Sequence, residues 1–384
     1  MSKIDELLAE LCPKGVPRSS IGELCKVETG KRDANEGSDD GQYHFFTTAK
    51  KTGRIDTYRW DCDALLIAGN ANIGNVKQYN GKFDAYQRTY VLSGFRPDVD
   101  VRYLYFALSD TLNFYLDANK NVAAMTYIVL KTLVDFEVPV PSLEVQREIV
   151  SILDKFTQLE AELEAELEAR RSQYEHTRDQ LLDFSGDLSS HPMRELIAEL
   201  CPEGVRAHEL GKVASIKIGE FVKKTKQDPN AEFAVYNGGT TETGFYEAFN
   251  SMEDSVVISA RGSIGFVNYL PKKFWAGNSC YVIRPESDDV DVKYLYFTLK
   301  SSERQLFALR AVGGIPALNL GPVRTFPILL PPLEIQREIV SILEKLDALV
   351  NDLTFGLPAE ITARRKQYEY FRNQLLTFKE LEAA

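Results

Sequence analysis

The chain has 384 residues, 44% of them apolar and 11% aromatic, which is room and core material for two domains with connectors and excludes a disordered chain. The net charge of −11 excludes binding to phosphate by bulk charge alone, but it is unevenly spread: residues 141–188 carry −7, whereas residues 189–331 sum to zero. A basic face on either mixed region is compatible with these numbers, with a partner supplying further positive surface.

The five cysteines, Cys12, Cys25, Cys62, Cys201 and Cys280, show no metal-ligand spacing and read as buried reduced thiols, with zinc binding as the remote alternative. No charged-then-apolar leader and no apolar run near the ~20 residues that span a bilayer is present, so a soluble, cytoplasmic chain without membrane contact is expected.

In chain order, the spacing of KIDELLAEL predicts a helix over 3–11, closed by Pro13 and Gly15. Short β-branched or alternating runs at Leu24–Glu28, Tyr43–Thr47, Ala64–Ala68 and Tyr90–Leu92 predict strands of a mixed sheet. Val101–Ser109 predicts a helix, Asn121–Val129 a loop, and Val138-Pro139-Val140-Pro141 an end to the domain. A long amphipathic segment then runs from Leu143 to Phe184, with Ile149, Ile152, Leu153, Phe156, Leu159 and Leu163 at spacings of 3 and 4. From Leu159 it becomes LEAE-LEAE-LEA, made of strong helix formers. Unbroken, the segment is a rod of roughly 60 Å.

The chain then repeats itself. PSLEVQREIVSILDKF from Pro141 returns as PPLEIQREIVSILEKL from Pro331, RRSQYEHTRDQLLDF as RRKQYEYFRNQLLTF, and VRYLYFAL from Val101 as VKYLYFTL from Val292. Lys31–Arg59 and Glu220–Asn250 differ most between the copies. In the second long segment LTFGLPAEI, with Gly356 and Pro358, predicts a break that the first copy lacks. A lone helix with one apolar stripe needs a partner, and the other copy is the nearest one. The two are expected to pair antiparallel, with the two similar heads at opposite ends of the spacer. The division expected is 1–140 first head, 141–188 first long helix, 189–331 second head, 332–384 second helical region. The fold class is α+β with an internal pseudo-two-fold repeat. Generic coiled-coil or core packing is the plainer account of such a stripe, but duplication of the whole head-and-rod unit describes a ruler, and duplex DNA offers half-sites every ~34 Å on one face.

With PSLEVQREIVSIL and PPLEIQREIVSIL, the paired RR(S/K)QYE runs and ARGSIGFVNY from Ala260, nearly the whole chain resembles the specificity subunit of a type I restriction-modification system. The resemblance implies that each head is a target-recognition domain reading half of a split DNA sequence and that the helices set the gap. It further implies that two methyltransferase subunits dock on the helices and that restriction/translocase subunits complete the enzyme. Methyl transfer to adenine N6 would use S-adenosylmethionine on the methyltransferase subunits, and ATP would be bound by partner subunits, with no cofactor or metal in this chain. The LEAE repeats resemble the tetrapeptide repeats of some members; one repeat adds ~6 Å and about 40° of rotation.

From the residues themselves, no Gly-rich phosphate loop, no (Asp/Asn)-Pro-Pro-(Tyr/Phe) run and no metal-nuclease constellation is present, so a non-catalytic chain is expected. His44, His176, His191 and His208 read as structural or solvated. Base and phosphate contacts are expected from polar loops. In the first head these are Lys31, Arg32, Thr47, Thr48, Lys50, Lys51, Arg54, Asn70, Asn72, Lys77, Gln87 and Arg88. In the second they are Lys217, Lys223, Lys224, Lys226, Tyr236, Asn237, Gly238, Gly239, Arg261, Ser263 and Asn278. Arg261 is the foremost candidate, with Asn70 as its counterpart. Ordinary solvated turns are the plainer reading of any one of these positions. Gln146, Arg147, Tyr174, Gln336, Arg337, Tyr368, Tyr370 and Phe371 recur on the helices and are candidates for partner binding, with internal packing as the alternative. The rival to DNA recognition is a two-headed coiled-coil scaffold binding protein or glycan.

Overall fold

The computed structural model describes residues 3–118, 127–311, 316–351, 356–379 and 381. The chain divides into two compact units, residues 1–164 with 361–384, and residues 165–360. The boundary between these units cuts through both long helical segments, because each unit buries the start of its own helix together with the end of the other.

In the first unit α1 is Lys3–Leu11, β1 Arg18–Ser20, α2 Ile21–Leu24, β2 Lys26–Thr29, β3 Tyr43–Phe46, β4 Gly53–Ile55, β5 Trp60–Ala68, β6 Val76–Ala85, β7 Thr89–Ser93, α3 Val101–Ala118, α4 Leu130–Val134 and β8 Glu137–Pro139. A six-stranded sheet has the order β2-β7-β5-β6-β3-β4, antiparallel except for β3 against β6, and β1 pairs with β8. The period of two divides β5 between two cores. Leu65 and Ile67 face Leu104, Leu108 and Leu112 of α3, while Ala64 and Leu66 face an aromatic cluster of Phe46, Trp60 and Phe83. With both faces covered, the strand reads as a continuous apolar run.

Most expected elements lie where the periodicity put them, with three differences. The run Leu24–Glu28 opens in the last residue of α2 before β2 begins. α3 continues to Ala118, past Ser109. β6, VKQYNGKFDA, escapes a sequence reading because its middle is polar and half-exposed; backbone pairing to β5 makes it a strand. Of the loop expected at 121–129, residues 121–126 lie outside the described residues; Ile128 is buried and its carbonyl accepts a bond from the Tyr90 hydroxyl at 2.6 Å.

The long helix α5 is Leu143–Leu182, forty residues without interruption. In the second unit follow α6 Arg194–Leu200, β9 Arg206–Glu209, α7 Leu210–Val213, β10 Ala214–Ile218, β11 Phe233–Tyr236, β12 Gly244–Tyr246, β13 Ser255–Ser259, β14 Val267–Leu270, β15 Trp275–Ala276, β16 Cys280–Pro285, α8 Val292–Ser301, α9 Glu303–Ala308, α10 Leu320–Arg324, β17 Pro327–Leu330 and α11 Leu333–Asn351. α12, Gly356–Leu376, begins in the second unit and ends in the first. The strand order of the first sheet returns as β10-β16-β13-β14 and β15-β11-β12, because Pro271 interrupts what was one strand in the first copy.

α3 is apolar on two sides. Its Leu104, Leu108 and Leu112 meet the sheet, and Tyr103, Phe106 and Ala107 meet Val145, Ile149 and Leu153 of α5. α8 does the same, with Leu295 and Leu299 on the sheet and Tyr294 and Phe297 on Ile335, Ile339 and Leu343 of α11. Within the first unit α5 and α12 run antiparallel: Phe156 stacks on Phe371 at 5.6 Å, and further along α5 Glu160 meets Arg365, earlier in α12, at 2.5 Å. Glu164 bonds the same guanidinium. Within the second unit the end of α5, through Tyr174, Leu181 and Leu182, packs with α11. Gly356 opens α12 at φ +76°, where a Cβ would stand 2.6 Å from the Leu349 carbonyl, so a side chain at this break is both strained and crowded.

Candidate nucleic-acid interface

The loop stretches singled out in the first head are joined into one patch by backbone and side-chain hydrogen bonds. Gln87 N–H donates to the Arg32 carbonyl (2.9 Å), Gly69 N–H to the Arg88 carbonyl (2.8 Å), Asn72 Nδ2 to the Thr48 carbonyl (2.8 Å) and Lys77 Nζ to the Ala49 carbonyl (2.8 Å). Gly30 lies so close to this turn that a Cβ would fall 2.1 Å from the Ala85 carbonyl. The patch has two kinds of member. Lys31, Lys50, Lys51, Gln87 and Arg88 are exposed.

The others build the loops. Arg32 donates to Asp84 (3.1 Å), Glu36 (3.0 Å) and Thr57 (3.0 Å), and the Asp84 carboxylate, followed by Glu36, raises its pKa further above the usual arginine range. Arg54 donates to the carbonyls of Gly41 and Gln42, and Thr48 is buried. Lys77 loses water on entering its site, which lowers its pKa, and it also reaches the Thr52 hydroxyl. Arg32, Thr48, Arg54, Asn72 and Lys77 thus also brace the loops from within; of these Thr48 is buried, Arg32, Asn72 and Lys77 are half-buried, and Arg54 stays exposed. Thr47 is a half-buried turn residue whose hydroxyl accepts the Ala49 amide.

The second head builds the corresponding patch. Ser263 N–H donates to the Gly238 carbonyl (2.8 Å), Ser259 Oγ to the Gly239 carbonyl (3.2 Å) and Ser279 N–H to Asn237 Oδ1 (3.2 Å), drawing the turns at 237–239, 261–263 and 277–279 together. Arg261 and Asn278 are exposed on them, and Tyr236 is half-buried against Phe274. Lys223, Lys224 and Lys226 are exposed around a short 3-10 turn, and Lys217 on β10 is exposed as well. The central residue of the 261–263 turn, Gly262, has positive φ at +72°, as does its counterpart Ala71 on the 70–72 turn of the first head at +53°. Asn70 on that turn has a buried Oδ1 without a hydrogen-bond partner. Sequence reasoning passed over Phe221, which is 64% exposed beside the lysine run; an apolar ring between Ile218 and three lysines in IKIGEFVKKTK was the available signal.

A profile of the type I restriction modification DNA specificity domain family matches residues 13–169 and again 202–363. The chain belongs to this family. It is a type I restriction-modification specificity subunit that recognises DNA sequence with two domains. A putative type I specificity subunit of Mycoplasma pneumoniae, S.MpnORF507P, is 25% identical over 94% of this chain and 97% of its own length. The EcoR124I/EcoR124II specificity subunit of Escherichia coli is 33% identical over 64% of this chain and 62% of its own. The solved S subunit from M. genitalium shares the fold with a TM-score of 0.63 at 19% identity, covering 94% of this chain and 96% of that one.

The helix candidates of this specificity subunit fall into three groups by burial. Gln146 and Gln336 are fully buried, with every amide hydrogen bond made inside their own unit. They cannot meet a partner at the surface, and that expectation is corrected. Tyr174 is also buried in the helix packing; Tyr368 and Phe371 are half-buried near Phe156. Arg147, Arg337 and Tyr370 remain exposed. No described helix is long and apolar enough to cross a membrane.

Proposed function

We propose that each head reads one half of a split DNA target and that the chain directs adenine-N6 methyltransferase subunits, and restriction/translocase subunits, to it. The observation that carries this is the same loop patch built twice on two copies of one sheet, with Asn70 in one turn and Arg261 in its counterpart. Arginine fits guanine O6/N7 and asparagine fits adenine N6/N7, so a duplicated scaffold can read two different half-sites. The helices set the gap: α5 is one uninterrupted helix that gives residues 143–164 to the first unit and 165–182 to the second. Two modification subunits bind the repeated helical surface, to which Arg147 and Arg337 contribute at equivalent positions. S-adenosylmethionine and ATP belong to the partners, this chain contributes recognition without catalysis, and the assembly works on DNA in the cytoplasm.

Single-molecule sequencing of N6-methyladenine in host DNA tests this with the chain intact, deleted, and with one LEAE repeat removed. The expected result is a split motif that disappears on deletion and returns in the repeat mutant with the same half-sites and a shorter gap. Methylation indifferent to all three would turn the reading toward a two-headed scaffold for protein or glycan.

A further inference from the structure

The two buried glutamines occupy a joint that is built twice with matching geometry. In the first unit Gln146 Oε1 accepts the Asp100 amide (2.8 Å), while Nε2 donates to the carbonyls of Asp98 (2.9 Å) and Pro141 (2.7 Å). In the second, Gln336 Oε1 accepts the Asp291 amide (2.9 Å), and Nε2 donates to the carbonyls of Asp289 (2.9 Å) and Pro331 (2.8 Å). The aspartates so held in turn cap the next helix. Asp100 Oδ1 accepts the amides of Arg102 and Tyr103, and Asp291 Oδ1 those of Lys293 and Tyr294.

A second pair of contacts flanks each joint. Arg102 bridges to Asp154 on α5 at 2.7 Å, and Lys293 bridges to Glu344 on α11. Tyr103 and Tyr294 donate their hydroxyls to the Pro139 and Leu329 carbonyls at 2.9 and 2.8 Å. The helix so fixed, α3 or α8, is the layer between sheet and long helix. A carboxamide on the first turn of the long helix that bonds the N-terminus of this layer, the turn before it and the proline leading into its own helix ties the head to its rod in one orientation. Packing alone would tolerate small rotations; a fully satisfied buried polar network does not.

We infer that Gln146 and Gln336 are positioning residues that fix the angle of each recognition sheet on its long helix, and so hold the gap between half-sites to one length. This rests on the two-part target proposed above. If the wild-type chain yields no split methylation motif, that reading fails; if it yields one, the variants below decide this inference alone.

The experiment is methylome sequencing of hosts carrying the full complex with Gln146→Ala, Gln336→Ala, Lys293→Glu, or Lys293→Glu with Glu344→Lys. The expected result is unchanged half-site bases, with discrimination against a gap one base pair longer or shorter falling from the roughly tenfold or greater scale of a single mismatch toward equality. The charge-swapped pair is expected to restore the single gap. A purely structural role would lower methylation at the cognate gap without admitting new ones, and that result overturns the inference. Should the glutamine variants fail to assemble, the lysine reversal decides: new gaps that vanish in the swapped pair support the inference, and a single unchanged gap sinks it.

Discussion

The two units carry one design with different tolerances in different places. At the joint between head and helix the contacts are kept even where the residues change: Arg102–Asp154 becomes Lys293–Glu344, with both signs of charge retained. The hydrophobic seam keeps Val145, Ile149 and Leu153 as Ile335, Ile339 and Leu343, all fully buried. Away from the joint the copies part. β6 is a single strand of ten residues, whereas Pro271 splits its counterpart into β14 and β15; α5 is continuous, whereas the second rod restarts at Gly356. Contacts that orient the heads are held in register, while the loops and rods vary. A recognition protein with two targets and one assembly geometry needs that division.

The sharpest test of equivalence is the seam. Ile149→Ala and Ile339→Ala each remove a fully buried side chain at matching positions, and each is expected to cost about 2–5 kcal/mol by transfer and cavity terms. Denaturant unfolding of the full chain in its complex measures both; costs differing by more than that whole range would break the comparison.

Smaller, and meant to sharpen the difference between heads, are Arg261→Ala and Asn70→Ala. Each is expected to weaken binding by about 1–3 kcal/mol and relax sequence preference in one half-site only. Affinity for duplexes altered in one half at a time reads this out, and relaxation of both halves by either variant would contradict separate readers.

The least effect is expected from pH. His191 stacks on Phe184 at 4.7 Å, and burial lowers its pKa below the usual 6.5. Its folded form therefore resists protonation, so its contribution is present above the unfolded pKa near 6.5 and is lost as pH falls through the depressed folded value. Thermal unfolding followed from pH 7.5 to 5 is expected to show a loss that His191→Phe reduces; an identical slope in the variant would remove His191 as the cause.

The heptad-like stripe of α5 and the repeat of PSLEVQREIV as PPLEIQREIV made the helices and the duplication legible, since periodicity reports burial directly. β6 was not legible, because Gln78, Tyr79 and Asn80 show no alternation and backbone pairing to β5 and β3 defines the strand. The loop patch was legible as composition but not as roles. Arg32 and Lys77 look like free cations in the sequence, yet each is also bonded within the head, Arg32 to Asp84, 52 residues later, and Lys77 to Ala49, 28 residues earlier.

The sequence by itself determined the two copies, the long amphipathic helices, the break at Gly356 and Pro358, and the polar loop stretches that the fold gathers into one patch on each head. These follow from local spacing and backbone preference, which act within a few residues. Only the tertiary structure decided that Gln146 and Gln336 are internal, that Asp84 and Asp100 fix their neighbours, and that each compact unit takes half of either rod. Those outcomes depend on groups far apart in the chain meeting where water is excluded, where a buried polar atom must find its partner inside the protein.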